Sequence, residues 1–161
     1  MTQKWFEHDA ENYKLFISVI TIEEIDQLKN TTKRDNISQL LIDNNVQVLE
    51  LGDEARKIAN EYIKRGAIPK SEPEDALHVA IATVNKMEAL VSWNFKHIVS
   101  MGPIKKIHEI NKKLNYAIIE IGSLEIFWRI KIWKLIIMII KSKKTILFGN
   151  FMRYDMLSIK K

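Results

Sequence analysis

Apolar positions along this chain switch repeatedly between two spacings: short unbroken or alternating runs of strand length, and longer stretches with one apolar face at helical period. Residues 5–14 carry a weak helical pattern, and Leu15 to Val19 (LFISV) is a short apolar run that reads as a strand. Thr21 then opens T-I-E-E, the spacing of a capping box, which predicts a helix over about Thr21 to Lys29. A second helix is expected over 33–43, where Ile37, Leu40 and Leu41 share a face, and Asn44-Asn45 ends it.

The same alternation continues downstream. Val46 to Leu51 (VQVLEL) alternates like a strand. Ala55, Ile58, Ala59, Tyr62 and Ile63 keep the helical period up to a stop at Gly66. Ser71 begins S-E-P-E, a second capping-box spacing with Pro73 in the first turn, and the run from Ala76 to Val84 is apolar on nearly every side, as a buried helix would be. Ala89 to Trp93 (ALVSW) reads as a central strand, Ile104 to Leu114 as an amphipathic helix and Ala117 to Ile121 (AIIEI) as a further strand. Strands alternating with helices predict an α/β fold whose central parallel sheet is flanked by helices on both faces.

Composition changes this picture in two places. The 161 residues suit one domain, and the absence of cysteine excludes a disulfide framework, a thiolate nucleophile and a cysteine-based zinc site. The net charge of +5 is unevenly distributed: residues 1–125 hold 16 basic and 19 acidic side chains, whereas residues 126–161 hold nine and one. The longest strongly apolar run, Leu135 to Ile140, is far short of the roughly 20 residues that a membrane-spanning helix needs. No signal-like segment opens the chain, so a soluble, cytoplasmic protein with no membrane partner is the expectation.

Ligands of open parallel sheets bind beyond the C-terminal ends of the strands. Three candidates fall there by sequence: Glu24 after LFISV, Asp75 at the start of the buried helix, and Asn94 just after ALVSW. Carboxylates converging from separate elements suit Mg²⁺ or Mn²⁺, and such an ion can assist phosphodiester hydrolysis. Structural roles account for the same residues: Glu24 as third residue of a capping box, Asp75 as a first-turn acid favoured by the helix dipole. Glu23 and Glu74 are their immediate neighbours, and helical geometry turns each about 100° away, so one acid of each pair faces a site. His78 makes an Asp-x-x-His pair with Asp75 but reads first as a core or helix-face residue, and His97 and His108 as surface residues. Trp93 and Phe95 flank Asn94 as core residues or as base-stacking partners.

The ordered set SVITIEEI, then GAIP with DALHVAIAT, then LVSWNFKHI, resembles PIN-domain proteins of the kind found as the toxin half of type II toxin–antitoxin pairs. The resemblance covers residues 1–126. It implies a three-layer nuclease fold with a central parallel sheet, an RNA substrate, Mg²⁺ or Mn²⁺ as cofactor, a cognate antitoxin as protein partner and a homodimer. Carried over by position, Glu24 and Asp75 match metal-binding acids, and Asn94 matches a catalytic site where many members have aspartate. The family's first strand, with its aspartate, has no counterpart before the helix-like Thr2-Gln3-Lys4-Trp5-Phe6, so the domain reads as N-terminally truncated and the neighbouring strand edges as exposed. Residues 127–161 form a basic, hydrophobic tail outside the resemblance. They read as a frame-shifted run-on, as an RNA-gripping segment, or as the source of a replacement strand at Thr145 to Phe148 (TILF).

Overall fold

A computed structural model describes residues 2–126 and 144–149. The chain opens with α1 (Thr2–His8), passes through a 3₁₀ turn (Ala10–Asn12) into β1 (Tyr13–Ser18), and continues with α2 (Val19–Asp26), α3 (Thr31–Asp43) and β2 (Gln47–Leu49). Then follow α4 (Asp53–Lys64), α5 (Pro73–Val84), β3 (Ala89–Ser92), α6 (Met101–Lys113), β4 (Glu120–Gly122) and β5 (Lys144–Gly149). Among the described residues five strands form one sheet in the order β2-β1-β5-β3-β4, and every neighbouring pair is parallel. The α/β class expected from the alternation is the observed one.

The middle of that sheet comes from the last of the described segments. β5 pairs on one side with β1, Tyr13 against Lys144 through Ile17 against Phe148, and on the other with β3, Ala89 against Ile146 through Ser92 against Gly149. The expectation that TILF supplies a strand is therefore met, and the facing edges of β1 and β3 are closed rather than open. Successive side chains of β5 enter opposite faces, as the period of a strand requires. Leu147 joins the large core under α4, α5 and α6, with Ile58, Tyr62, Val79 and Ile107; Phe148 joins the opposite core with Trp5, Phe6, Leu15, Val91 and Trp93. Its ring is stacked on Phe6 at 5.5 Å between centroids and meets Trp5 edge-on at 5.7 Å. Of the remaining tail residues, 127–143 and 150–161 lie outside the described residues.

Several boundaries differ from the sequence reading, for local reasons. β1 starts at Tyr13 and ends at Ser18, because Ser18, not Thr21, caps the next helix: its hydroxyl accepts the Thr21 backbone N–H at 3.2 Å. The T-I-E-E segment is thus helix interior. The second capping box also fails to form, since α5 is led in by Glu72 with Pro73 in its first turn, and Ser71 stays outside. β2 is three residues long at a sheet edge, with a single partner, and Val48 is half exposed. The long apolar helix is buried as expected: from Asp75 to Thr83 only Leu77 keeps partial exposure.

Between α4 and α5 a polar network sits inside the large core. The Tyr62 hydroxyl contacts Thr83 Oγ1 at 3.0 Å and donates to Asn111 Oδ1 at 2.5 Å, tying α4, α5 and α6 together. Burial pushes the Tyr62 phenol up to about 12.

Candidate functional site

The C-terminal ends of the three middle strands stand level, with Ser18 on β1, Gly149 on β5 and Ser92 on β3. Helix α5 crosses this edge closely. A Cβ on Gly149 would stand 3.3 Å from His78 Cβ and 3.4 Å from His78 Cγ, so the missing side chain lets the histidine lie against the sheet.

Asp75 is 1% exposed and Asn94 is 1% exposed, and they are bonded to each other: Asn94 Nδ2 donates to Asp75 Oδ2 at 2.7 Å. The amide oxygen of Asn94 is already engaged, accepting the His97 backbone N–H at 3.0 Å. Turning the amide over would face its oxygen to a carboxylate and its N–H₂ to another N–H, so the two partners together fix its orientation. The Asn94 backbone is held as well, its N–H donating to Ser92 Oγ at 3.1 Å. Asn94 thus presents a nitrogen, not an oxygen, to Asp75.

Glu24 lies in the second half of α2, so the capping role that sequence spacing offered it is not the one it fills. Its neighbour Glu23 points to solvent while Glu24 is half-buried, and Glu74 is exposed while Asp75 is enclosed, so one acid of each pair turns inward. The Glu24 carboxylate faces α5, with Oε1 at 3.6 Å from His78 Nε2. His78, fully buried, is anchored on its other side by a 3.0 Å contact between Nδ1 and Ser18 Oγ. Ser18 Oγ is also 3.1 Å from Thr21 Oγ1, which donates to the Phe148 carbonyl at 3.5 Å.

Asp75 and Asn94 are therefore brought together directly, and Glu24 faces His78, one turn along α5 from Asp75. Among the described residues, no three histidine, aspartate or glutamate side chains come close enough to form a metal-binding group. Sequence spacing offered Thr21 only as a helix cap and passed over Ser18. Their signal was a Ser-x-x-Thr spacing immediately after an apolar run, which marks an N-cap one turn earlier than T-I-E-E does. It also placed His97 and His108 at the surface. Both are half-buried, and His108 Nε2 bonds the Ile119 carbonyl at 2.9 Å. Trp93 is core, whereas Phe95 is 48% exposed beside the site.

Among the described residues no helix is long and apolar enough to cross a membrane. No protein-family model matches the chain, and neither a curated protein nor a solved structure matches it significantly.

Proposed function

We propose that the chain is a PIN-like ribonuclease homologue that hydrolyses RNA phosphodiester bonds with Mg²⁺ or Mn²⁺, and that β5 takes the place of the family's first strand. The observation that carries this reading is the enclosure of the Asp75 carboxylate at the C-terminal edge of an all-parallel sheet, on the same helix face that meets Glu24. Hard dications are bound by one or two carboxylates completed by water and phosphate, and Glu24 and Asp75 are the residues that would hold one here. Such an ion activates water and neutralises charge on the phosphoryl oxygens. Asn94 has a positioning role: its N–H fixes the rotamer of Asp75, and its own oxygen is committed to His97. A cognate antitoxin and a homodimer belong to the same reading.

A second reading has a specific observation behind it. The Asn94 amide N–H already engages the buried Asp75 carboxylate, as expected of a PIN-like fold that binds RNA or protein without cleaving. Thermal melting with Mg²⁺ or Mn²⁺, together with cleavage of labelled single-stranded RNA, separates the two. The nuclease reading requires metal-dependent stabilisation and cleavage that Asp75→Asn abolishes. RNA binding in EDTA with no cleavage under any metal would leave the binding module.

A further inference from the structure

Ser18, Thr21, His78 and Glu24 form a buried chain whose protons can be assigned from one end. The Phe148 carbonyl only accepts, so Thr21 Oγ1 donates to it. A hydroxyl has one proton, so in the 3.1 Å contact between Thr21 and Ser18 the serine donates. Ser18 then has no proton left for His78, and in the 3.0 Å contact the histidine Nδ1–H is the donor. Ser18 Oγ, which also receives the Thr21 backbone N–H, is fully satisfied by this arrangement.

The consequence falls on the other ring nitrogen. In the neutral imidazole Nε2 carries a lone pair and no proton, yet it faces the Glu24 carboxylate, 3.6 Å from Oε1. Among the described residues neither His78 Nε2 nor Glu24 Oε2 has a hydrogen-bond partner, although both atoms are buried. Two acceptors held face to face inside a protein repel each other unless a proton or a metal cation lies between them.

We propose that His78 Nε2 and Glu24 form a binding site for a borderline transition-metal dication of the Zn²⁺ class, completed by water. With metal–ligand bonds of about 2.1 Å, a 3.6 Å gap subtends roughly 115–120° at the ion, near the tetrahedral preference of Zn²⁺ and away from the right angle of an octahedral ion. A metal-bound histidine usually donates its other ring N–H to an oxygen acceptor that fixes the tautomer and ring plane, and Ser18 Oγ fills that place here. The 15% exposed side chain of Glu24 gives the route from solvent. The inference shares Glu24 with the site proposed for RNA hydrolysis and does not depend on catalysis.

The test uses the full chain stripped with EDTA and titrated with Zn²⁺, Co²⁺ and Mg²⁺, read by thermal shift, calorimetry and the visible spectrum of bound Co²⁺. Zn²⁺ and Co²⁺ are expected to bind one per chain with a tetrahedral-type Co²⁺ spectrum. Glu24→Gln and His78→Gln are each expected to weaken binding by at least about 10-fold. Asp75→Asn, which removes the Mg²⁺ or Mn²⁺ response demanded by the nuclease reading, is expected to leave Zn²⁺ binding in place, so either idea can fail alone. Should His78→Gln not fold, Glu24→Gln and ¹⁵N NMR of the wild-type ring still decide. Absence of Zn²⁺ binding, equal binding by Glu24→Gln, or a metal-free ring protonated at Nε2 rather than Nδ1 would each overturn the proposal.

Discussion

Asn94 donates its amide N–H to the buried Asp75 carboxylate at 2.7 Å and turns its amide oxygen away to the His97 backbone. The bond is charge-assisted and enclosed, which makes it strong and makes its loss costly. An aspartate at position 94 would replace it with two facing carboxylates.

Asn94→Asp is therefore predicted to destabilise the metal-free protein by about 2–4 kcal/mol, from loss of a hydrogen bond to a charged group and burial of a second charge. Millimolar Mn²⁺ should recover much of that loss, because an ion between the two carboxylates relieves their repulsion. Urea unfolding with and without Mn²⁺ measures both parts. Wild-type stability for the metal-free variant would show that the amide orientation is not what holds Asp75.

Phe148 is 2% exposed and packs among Trp5, Phe6 and Trp93. Phe148→Ala should cost about 3–5 kcal/mol, the range for emptying an aromatic site in a core. Removing residues 127–161 altogether should be more severe, since β1 and β3 would lose their common neighbour and present unpaired edges. Solubility, circular dichroism and denaturant titration of the two variants check this. A shortened chain that folds as stably as the whole would overturn the central role of β5.

Gly149 offers a finer probe of the same region. A methyl there meets His78 Cβ at 3.3 Å and Leu90 Cδ1 at 3.4 Å. Gly149→Ala is predicted to destabilise by about 1–3 kcal/mol, the usual cost of overpacking, and to move the His78 ring. The histidine resonances in a two-dimensional spectrum report the displacement. Unperturbed His78 signals would mean that the added methyl is accommodated without moving the ring.

Tyr62 gives the fold a specific sensitivity to alkali. Its phenol is raised from 10.0 to about 12, chiefly by burial, with the bonds to Thr83 and Asn111 acting the other way. The fold favours the neutral phenol, so the stabilisation is complete below the unfolded value near 10 and is lost as pH rises through about 12. Tyr62→Phe should cost about 1–2 kcal/mol at neutral pH by stripping Asn111 of its donor. The same variant should lose less stability between pH 10 and 12 than the wild type does. Parallel curves over that interval would rule the phenol out as the titrating group.

Much of the architecture was readable from local pattern. LFISV, ALVSW and the apolar run after Pro73 fall within three residues of β1, β3 and α5, because each is long or apolar enough to specify its own conformation. Cap positions were misread where two hydroxyls compete: Thr21 has the right spacing, but Ser18 precedes it by one turn and takes the N–H first. VQVLEL suggested six strand residues where three form, since an edge has one partner to hold it. That one acid of each pair turns inward follows from helical phase, whereas the choice of Glu24 over Glu23 and Asp75 over Glu74 is visible in the fold. What spacing could not carry was the orientation of an amide and the identity of a third neighbour. The roles of Asn94 and His78 depend on His97, Ser18 and Phe148, which meet them only in three dimensions.

The position of β5 also sets the order in which the molecule can be assembled. Thr21 and Phe148 are 127 residues apart, yet they touch across the centre of the sheet. A growing chain has made β1, β2, β3 and β4 well before the segment that must lie between two of them. Closure of a loop of that length precedes any gain from the central pairings, which slows folding and delays it until Lys144–Gly149 has been made. During that interval the nascent chain holds two half-sheets with nothing between them, the state in which a chaperone or a neighbouring copy has its best opportunity to intervene.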